Sequence, residues 1–156
     1  MDIRLCEKRD EDIWITMNRE FMFFLIREES SWSGTEKTSD SIFRNTFNEA
    51  MQSSSYITLL IFEEDGIPIG YANLMSTFSV WSHGKLLILD DIFFREEYRR
   101  KGHGREAMKY IEDYAKENGF KRLHFQSTPT NPDAKPFYQA LGFTPAIANF
   151  YGKNIT

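Results

Sequence analysis

Cysteine is almost absent from this chain, because Cys6 is the only one among 156 residues. A single thiol excludes an internal disulfide and offers no cluster for a metal ion. We therefore expect Cys6 to be a small, buried apolar residue. The sequence also lacks a run of about 18 apolar residues and a long apolar stretch near its start. These absences argue against a membrane-spanning helix and a secretory signal, and they predict a cytoplasmic protein.

An excess of basic residues is missing as well. The chain carries 19 Lys and Arg against 23 Asp and Glu, which gives a net charge of −4 and a pI of about 5.4. This balance predicts no nucleic-acid surface, and it favours a cationic small molecule as partner. A length of 156 residues with 41% hydrophobic content predicts one soluble domain that spans residues 1–156.

The most informative stretch runs from residue 85 to residue 118. The apolar run KLLILDDIFF, interrupted by two aspartates, predicts a buried strand. Residues 105–118 repeat apolar side chains at helical spacing, so a helix follows. Gly102 and Gly104 lie between the two, after three basic residues. Glycines at a strand-to-helix turn let the backbone approach an anion, which the first amides of the helix and its dipole then bind.

Other interpretations of these glycines are weaker. Gly102-x-Gly104-x-x-Ala107 fits the dinucleotide fingerprint, but the next predicted strand, residues 122–126, has no acidic residue for a ribose. No Lys-Ser or Lys-Thr follows the glycines, so a nucleoside triphosphate loop is excluded. An ordinary tight turn with a solvated basic patch is the remaining alternative. The longer pattern Arg99-x-x-Gly102-x-Gly104 after a strand is more specific than such a turn.

That pattern resembles the acyl-CoA pyrophosphate loop of the GNAT N-acetyltransferases. A later segment resembles the second motif of the same family: Asn131, a short helix that ends in the pair Phe137-Tyr138, and then a Leu-Gly-Phe turn. The two motifs together span residues 85–143, in the order and spacing of the family. The resemblance implies an acetyl-CoA-dependent N-acetyltransferase.

The rest of the sequence predicts strands and helices in an order typical of an α/β domain. Before the central strand we expect, in order, a strand at 3–8, helices starting near Asp10 and Ser39, and strands at 56–62 and 67–78. After the central helix we expect a strand at 121–127, a helix at 133–141, and closing strands at 143–145 and 149–153. The predicted fold is a single α/β domain with a mixed, twisted sheet flanked by helices.

The resemblance assigns the binding of acetyl-CoA to three parts of the chain. The backbone of the central strand would bind the pantetheine arm, the glycine loop would bind the pyrophosphate, and the second motif would contact the cofactor further along. The residues concerned are Ile92, Phe93, Phe94, Arg99, Arg100, Lys101, Gly102, His103, Gly104, Arg105, Asn131, Phe137 and Tyr138. The family's geometry also implies that the His103 side chain points to solvent.

Two residues are the candidates for proton transfer. By resemblance, Tyr138 is the general acid for the departing thiolate. The stretch from Trp81 to Phe94 is similar to the diamine (spermidine/spermine) acetyltransferases, and Asp90 takes the place of their general-base glutamate. Aspartate is one methylene shorter, which favours a water relay, and a structural carboxylate is the alternative. Adjacent strand residues face opposite sides, so only one of Asp90 and Asp91 is expected in the acceptor cleft unless the strand is bulged.

The expected acceptor is a small-molecule amine, with a polyamine or diamine favoured. Carboxylates and an indole suit an alkylammonium, and the candidate contacts are Glu28, Glu29, Trp32, Trp81, Asp90 and Asp91. A solvated charged loop is the alternative for residues 28–37. An amino acid, a drug amine or a peptide N-terminus as acceptor, and a non-catalytic acyl-CoA sensor, stay open. The family often forms dimers, which implies a homodimer.

Overall fold

The computed structural model describes residues 1–28, 37–127, 131–146, 149, 151–153 and 155. The chain forms two compact units, Met1–Gln126 and Ser127–Thr156. The described part of the first unit contains five strands, β1 (Asp2–Leu5), β2 (Ile57–Glu64), β3 (Ile67–Ser79), β4 (Gly84–Phe94) and β5 (Arg122–Phe125). It also contains the helices α1 (Glu11–Glu28), α2 (Asp40–Gln52) and α3 (His103–Glu117), and the second unit contains α4 (Ala134–Ala140).

The strands lie side by side in chain order, from β1 to β5. Neighbours from β1 to β4 are antiparallel, whereas β5 runs parallel to β4. A parallel neighbour needs a crossover connection, and α3 provides it between β4 and β5. This arrangement confirms the predicted α/β fold with a mixed sheet.

Local chemistry explains the element boundaries that were predicted well. Ser39 is the N-cap of α2, and its hydroxyl accepts a hydrogen bond from the Ile42 amide. Asp65 and Gly66 form the turn between β2 and β3, with φ angles of 52° and 77°. Positive φ at both central residues is the requirement of the tightest hairpin turn, which Asp-Gly satisfies.

One core lies between the sheet and helices α1 and α2. Cys6, Trp14 from α1, Phe47 from α2, Tyr71 from β3 and Phe93 from β4 belong to one buried cluster. The ring centroids are 5.5 Å apart for Trp14 and Phe47 and 5.9 Å apart for Tyr71 and Phe93. Each fully buried aromatic side chain contributes roughly 2–3 kcal/mol. The prediction that Cys6 is buried is confirmed, and the aromatic side chain of Trp14 on α1 packs into the same core.

Helix α3 covers the opposite face of the sheet. The hydroxyl of Tyr114 on α3 lies 3.1 Å from the hydroxyl of Thr58 on β2. Thr58 projects away from its neighbour Leu59, which belongs to the cluster under α1 and α2. The sheet therefore has helices on both faces. Among the described residues, no helix has the length and apolar character that a membrane span requires.

A bidentate ion pair fixes α1 to the end of β4. Arg95 donates from Nε and Nη2 to the two carboxylate oxygens of Glu20, each over 2.9 Å. The remaining guanidinium nitrogen donates to the Pro68 carbonyl at the start of β3, over 3.1 Å. Planar paired bonds of this kind add geometric specificity as well as energy. The last residues of β4 are thereby held against α1.

The two predicted closing strands and the predicted end of the first strand are wrong. The closing strands are not formed, because residues 143–146, 149 and 151–153 have no regular secondary structure. Pro145 has no amide to donate to a ladder, and the small residues beside it pack poorly on a sheet. The first strand ends at Leu5 rather than Lys8, since the Glu7 amide donates to the Asp10 carboxylate over 2.7 Å and a 3₁₀ turn begins.

Candidate active site

Strand β4 is bulged at Asp90. Its neighbours Leu89 and Asp91 pair with Leu74 and Asn73, which are consecutive on β3, so Asp90 has no partner in the register. An extra residue locally breaks the alternation of side chains and increases the twist. The strand is thus bulged at the two aspartates, which is the condition under which both Asp90 and Asp91 can face the same acceptor cleft.

The two carboxylates differ in exposure, because Asp90 lies at the surface whereas Asp91 is half-buried. Burial raises the pKa of Asp90. Burial also raises the pKa of Asp91, against a hydrogen bond from Asn73 that lowers it, and the charge of Asp90 raises it further. Within the described residues, neither aspartate forms an ion pair with a Lys, Arg or His side chain. A bound cation would lower the free energy of both charges.

Asp91 is held by a short relay of side chains. Asn73 donates from Nδ2 to Asp91 Oδ2 over 2.8 Å, and Asn73 Oδ1 accepts from Trp14 Nε1 over 3.1 Å. An indole nitrogen can only donate, so this contact fixes the orientation of the Asn73 amide. Sequence reasoning missed Asn73 and Trp14 as site residues. The available signal was a lone asparagine among the apolar residues 69–75.

The edge of β4 that faces β5 is open at its end. In the part of the chain that the structure describes, β5 pairs with residues 86–89 of β4 only. The Arg95 amide donates to the Ile69 carbonyl on β3 over 2.9 Å. By the alternation of a strand, the N–H and C=O groups of Ile92 and Phe94 therefore face away from β3. An extended chain that bears amides can add to this edge as a further strand.

The turn before α3 presents backbone amides at a helix start. Gly102 is the N-cap of α3, with φ 93° and ψ −12°. Its carbonyl accepts from the amides of Arg105 and Glu106 over 3.0 and 3.2 Å. The amides of His103 and Gly104 belong to the first turn, where an α-helix provides no acceptor of its own. Together with the helix dipole, they form a seat for a phosphate-like anion.

The expectation that the His103 side chain points to solvent is wrong. Only 8% of His103 is exposed, and its ring stacks on Phe94 with the centroids 6.1 Å apart. Its Nε2 lies 3.2 Å from Glu64 Oε1, close enough for an ion pair but not aligned for a hydrogen bond. The first residue of α3 is turned towards the sheet because Phe94 and Glu64 hold its ring there. Only the backbone of His103 is left to face an anion.

Arg99 has a structural role in this turn. Its Nε donates to the Phe94 carbonyl over 2.7 Å, which occupies one of the backbone groups on the open edge. Its guanidinium carbon lies 4.5 Å from the ring centroid of Phe24 and 5.4 Å from that of Phe93. Arg99 therefore braces α1 against the end of β4 through stacking and a backbone hydrogen bond.

The exposed positive charge of the turn comes from three other residues, Arg100, Lys101 and Arg105. Arg100 adopts a left-handed backbone conformation, with φ 61°. The Nζ of Lys101 lies 4.9 Å from the ring centroid of Tyr98. These exposed positive charges lie within three positions of Gly102 in the chain and favour an anion at the helix start.

In the second unit, Asn131 starts helix α4. Its Oδ1 accepts from the Asp133 amide and its carbonyl accepts from the Ala134 amide, each over 3.3 Å. The side chain of Asn131 thus replaces a backbone acceptor at the helix start. The predicted short helix after Asn131 is confirmed, with bounds Ala134–Ala140.

Tyr138 lies among aromatic side chains of the same unit. Its ring meets those of Phe137 and Phe143 edge-on, with centroid distances of 5.0 and 6.2 Å. Burial raises the pKa of the Tyr138 phenol. The phenol is therefore protonated at neutral pH and is a hydrogen-bond donor.

Of the remaining predicted acceptor contacts, the structure describes the side chain of Trp81 alone. Trp81 is 92% exposed in the turn before β4. Six strand residues separate the start of β4 from Asp90, a distance of about 20 Å. Glu28 is the last residue of α1. Its side chain, and residues Glu29 and Trp32, lie outside the described residues.

Comparison with known proteins agrees with this geometry. The family described as "Acetyltransferase (GNAT) family" matches residues 19–143. An uncharacterized N-acetyltransferase of Bacillus subtilis, YhfO, is 34% identical over 107 residues, which cover 69% of this chain and 72% of that protein. The thialysine N-epsilon-acetyltransferase of Bos taurus is 31% identical over 74 residues, which cover 47% of this chain and 43% of that protein.

Solved structures extend the likeness to the whole fold. AAC(6′)-Iy in complex with the bisubstrate analogue CoA-S-monomethyl-acetylneamine aligns with 99% of this chain and 98% of its own, with a TM-score of 0.76 and 20% identity. The matched family region contains the bulged strand, its open edge and the amide-bearing helix start. This chain therefore belongs to the acetyltransferase (GNAT) family and is an acetyl-CoA-dependent N-acetyltransferase.

Proposed function

We propose that this enzyme acetylates a primary amine of a small cationic molecule, a polyamine or diamine. The observation that carries the proposal is the pair of adjacent carboxylates, Asp90 and Asp91, at the bulge of β4. Neither has a cationic partner within the described residues, and an alkylammonium supplies that charge. The relative named for the N-epsilon amine of thialysine supports an amine acceptor, although its match covers less than half of either chain.

The cofactor supplies the activated acetyl group as a thioester when it is bound. The backbone groups of Ile92 and the amide of Phe94, on the open edge of β4, suit the amide-bearing pantetheine arm. The amides of His103 and Gly104 suit the pyrophosphate, and the exposed basic residues around them add charge. Holding both reactants in this way can lower the activation free energy by about 7–11 kcal/mol.

In this mechanism Asp90 is the general base. An alkyl ammonium has a pKa near that of lysine, about 10.4, and is protonated at neutral pH. The Asp90 carboxylate attracts the ammonium and takes its proton through one water, since the short side chain limits direct reach. The neutral nitrogen can then form the new C–N bond at the acetyl carbon.

Tyr138 is the general acid in the same scheme. As the C–S bond breaks, the electron pair stays on sulfur, and the Tyr138 phenol donates its proton there. The raised pKa of Tyr138 keeps this proton in place at neutral pH. The nitrogen loses two protons in all, one to Asp90 before the C–N bond forms and one after it has formed. The second proton restores the Tyr138 phenol, which has protonated the sulfur, and Asp90 releases the first to solvent, so the products are an amide, a thiol and one proton.

The test is thiol release from acetyl-CoA with spermidine, putrescine, lysine and an aminoglycoside as separate acceptors. The protein contributes little background, because Cys6 is buried and burial raises its pKa to about 12. We expect release with spermidine or putrescine. Release with lysine or the aminoglycoside alone would overturn the acceptor class. Thermal stabilisation by CoA without release in any reaction would indicate a binding protein.

The same assay tests Tyr138. The Tyr138→Phe variant should lower kcat by about 10²–10⁴-fold, the range for general acid catalysis, with little change in the affinity for CoA. Tyr114→Phe is the matched control, because its hydroxyl bonds to Thr58 under α3. Unchanged turnover in Tyr138→Phe would remove Tyr138 from the mechanism.

A further inference from the structure

Tyr71 has a buried hydroxyl group without a partner. The residue is 0% exposed, and no group in the described residues bonds to its hydroxyl. The ring is held by Trp14, Phe21 and Phe93, with centroid distances of 6.5, 6.4 and 5.9 Å. Burying a hydroxyl without a hydrogen bond costs free energy, so an orphan in a tightly held ring needs an explanation.

The Tyr71 side chain lies on the same face of the sheet as Asp91. Tyr71 and Asn73 are two residues apart on β3 and project to the same face, and Asn73 donates to Asp91. Burial raises the pKa of Tyr71, and the charges of Asp91 and Asp90 raise it further. In the register, Tyr71 lies opposite Phe93 and Asn73 lies opposite Asp91, so Tyr71 is a diagonal neighbour of Asp91 on the α1 side of the sheet.

One carboxylate oxygen of Asp91 is available to accept a hydrogen bond from a ligand. Its Oδ2 accepts from Asn73, whereas no donor among the described residues bonds to Oδ1. A primary ammonium carries three N–H donors, so it can bond to Asp91 Oδ1 and to the phenol oxygen of Tyr71 at once. The phenol oxygen accepts such a bond without losing its own proton.

We propose that Tyr71 and Asp91 together seat the ammonium nitrogen of the acceptor, and that Asn73 and Trp14 are positioning residues for Asp91. This inference rests on the proposed function, because Asp90 remains the general base. The two carboxylates at the bulge then have different roles. Asp91 is pinned by Asn73 and binds charge, while Asp90, which has no ladder partner, receives the proton.

The first test compares Tyr71→Phe with Tyr114→Phe in steady-state kinetics with spermidine. Tyr71→Phe should raise the KM for spermidine about tenfold, the usual effect of losing a hydrogen bond to a charged group. Its kcat, its KM for acetyl-CoA and its thermal stability should not fall, because the deleted hydroxyl has no protein partner. Tyr114→Phe should keep the wild-type KM for spermidine.

Two results would overturn the proposed role of Tyr71. One is a KM for spermidine in Tyr71→Phe equal to that of Tyr114→Phe. The other is a lower kcat at unchanged KM, which would place the phenol in proton transfer rather than in binding the ammonium.

The role of the positioning residues is tested by the pH dependence of kcat/KM, which a loss of stability alone would not change. Asn73→Leu removes the hydrogen bond that lowers the pKa of Asp91, so the acidic limb of the kcat/KM profile should move to higher pH. Trp14→Phe, which frees the Asn73 amide, should move it in the same direction and serves where Asn73→Leu does not fold. Reduced stability with an unmoved limb would leave these residues a structural role only.

Calorimetry separates this inference from the proposed function. Spermidine is titrated into the CoA-bound wild-type protein and into the Tyr71→Phe variant. If no amine is acetylated, the proposed function fails, yet spermidine binding that Tyr71→Phe weakens about tenfold still supports the ammonium seat. Absence of spermidine binding to the wild-type protein would overturn the seat.

Discussion

The guanidinium of Arg4 holds the carboxylate of Asp10 through two hydrogen bonds, of 2.7 and 2.9 Å. Asp10 is 4% exposed and also accepts from the Glu7 amide. Arg4 in turn donates to Glu63 on β2 over 2.7 Å. One buried carboxylate thus joins the edge of the sheet to the start of α1, the helix that carries Trp14.

Replacing Asp10 by alanine should lower the free energy of unfolding by about 2–4 kcal/mol, because it leaves the Glu7 amide unpaired and the Arg4 charge half-compensated. Asp12→Ala is the control, since Asp12 is an exposed partner of Arg44 and should contribute less than about 1 kcal/mol. Urea unfolding monitored by tryptophan fluorescence measures both changes. Equal losses in the two variants would contradict the role of the buried pair.

The Asp10 pair also predicts a pH dependence. The hydrogen bonds from Arg4 hold the pKa of Asp10 below its usual range. Stabilisation by a carboxylate of lowered pKa is present above its unfolded pKa, near 4, and is lost as the pH falls through the lower folded value. The difference in stability between wild type and Asp10→Ala should therefore shrink below about pH 4.

The parts of this fold that sequence predicts are those fixed by local chemistry. The Ser39 cap, the Asp65-Gly66 turn and the periodic helix α3 each depend on residues within a few positions of one another. The glycine loop belongs to the same group, because left-handed backbone at Gly102 and a helix start are properties of a short segment. Such features can be placed without knowing which strands pair.

The parts that sequence did not reveal depend on pairing between distant residues. The bulge at Asp90 exists only because Leu89 and Asp91 pair with consecutive residues of β3. The contact of Asn73 with Asp91 follows from that register. Likewise, His103 is buried because Glu64 meets its ring from another strand. No local pattern encodes which residue lies across the ladder.

Gly102 should be sensitive to substitution through its backbone and not through its volume. Its φ is 93°, and no atom lies within 4 Å of an added Cβ. Gly102→Ala should therefore cost about 1–2 kcal/mol of stability by forcing a left-handed L-residue, and should weaken CoA binding as the loop relaxes. Gly102→Asn should lie closer to wild type, because asparagine tolerates this region better. Calorimetry with CoA and thermal unfolding compare the two, and equal losses would contradict the backbone explanation.

Substitution of Arg99 should lower stability, whereas substitution of Lys101 should weaken cofactor binding. Arg99→Lys keeps the charge but loses the planar stacking on Phe24 and the hydrogen bond to the Phe94 carbonyl, so the protein should lose about 1–2 kcal/mol of stability. Lys101→Ala removes an exposed charge, so CoA should bind less tightly at unchanged stability. Calorimetry at low and high salt, with thermal unfolding, measures both. A fully stable Arg99→Lys that binds CoA weakly would assign Arg99 to the anion.

Replacing Asp90 by asparagine should raise the stability of the protein and lower its activity. Burial raises its pKa, so its ionised form disfavours the folded state, and the stability it contributes is lost as the pH rises through the folded pKa. At neutral pH, Asp90→Asn should therefore unfold at a higher temperature than wild type. The same variant should lose about 10²–10⁴-fold in kcat, because the amide cannot accept the ammonium proton.

The pH profile of turnover decides whether Asp90 is the general base or only a structural carboxylate. In the wild type, kcat/KM should fall on acidification at a pH above the usual aspartate range, because the raised pKa lets protonation remove the base early. Asp90→Glu should keep this limb and more turnover than Asp90→Asn, since a carboxylate remains and reaches further. Asp65→Asn, in the exposed turn after β2, is the control and should change neither limb nor turnover. At saturating spermidine, an acidic limb of kcat that persists in Asp90→Asn would assign the proton transfer to another group, because ionisation of Asp91 affects binding and therefore kcat/KM only.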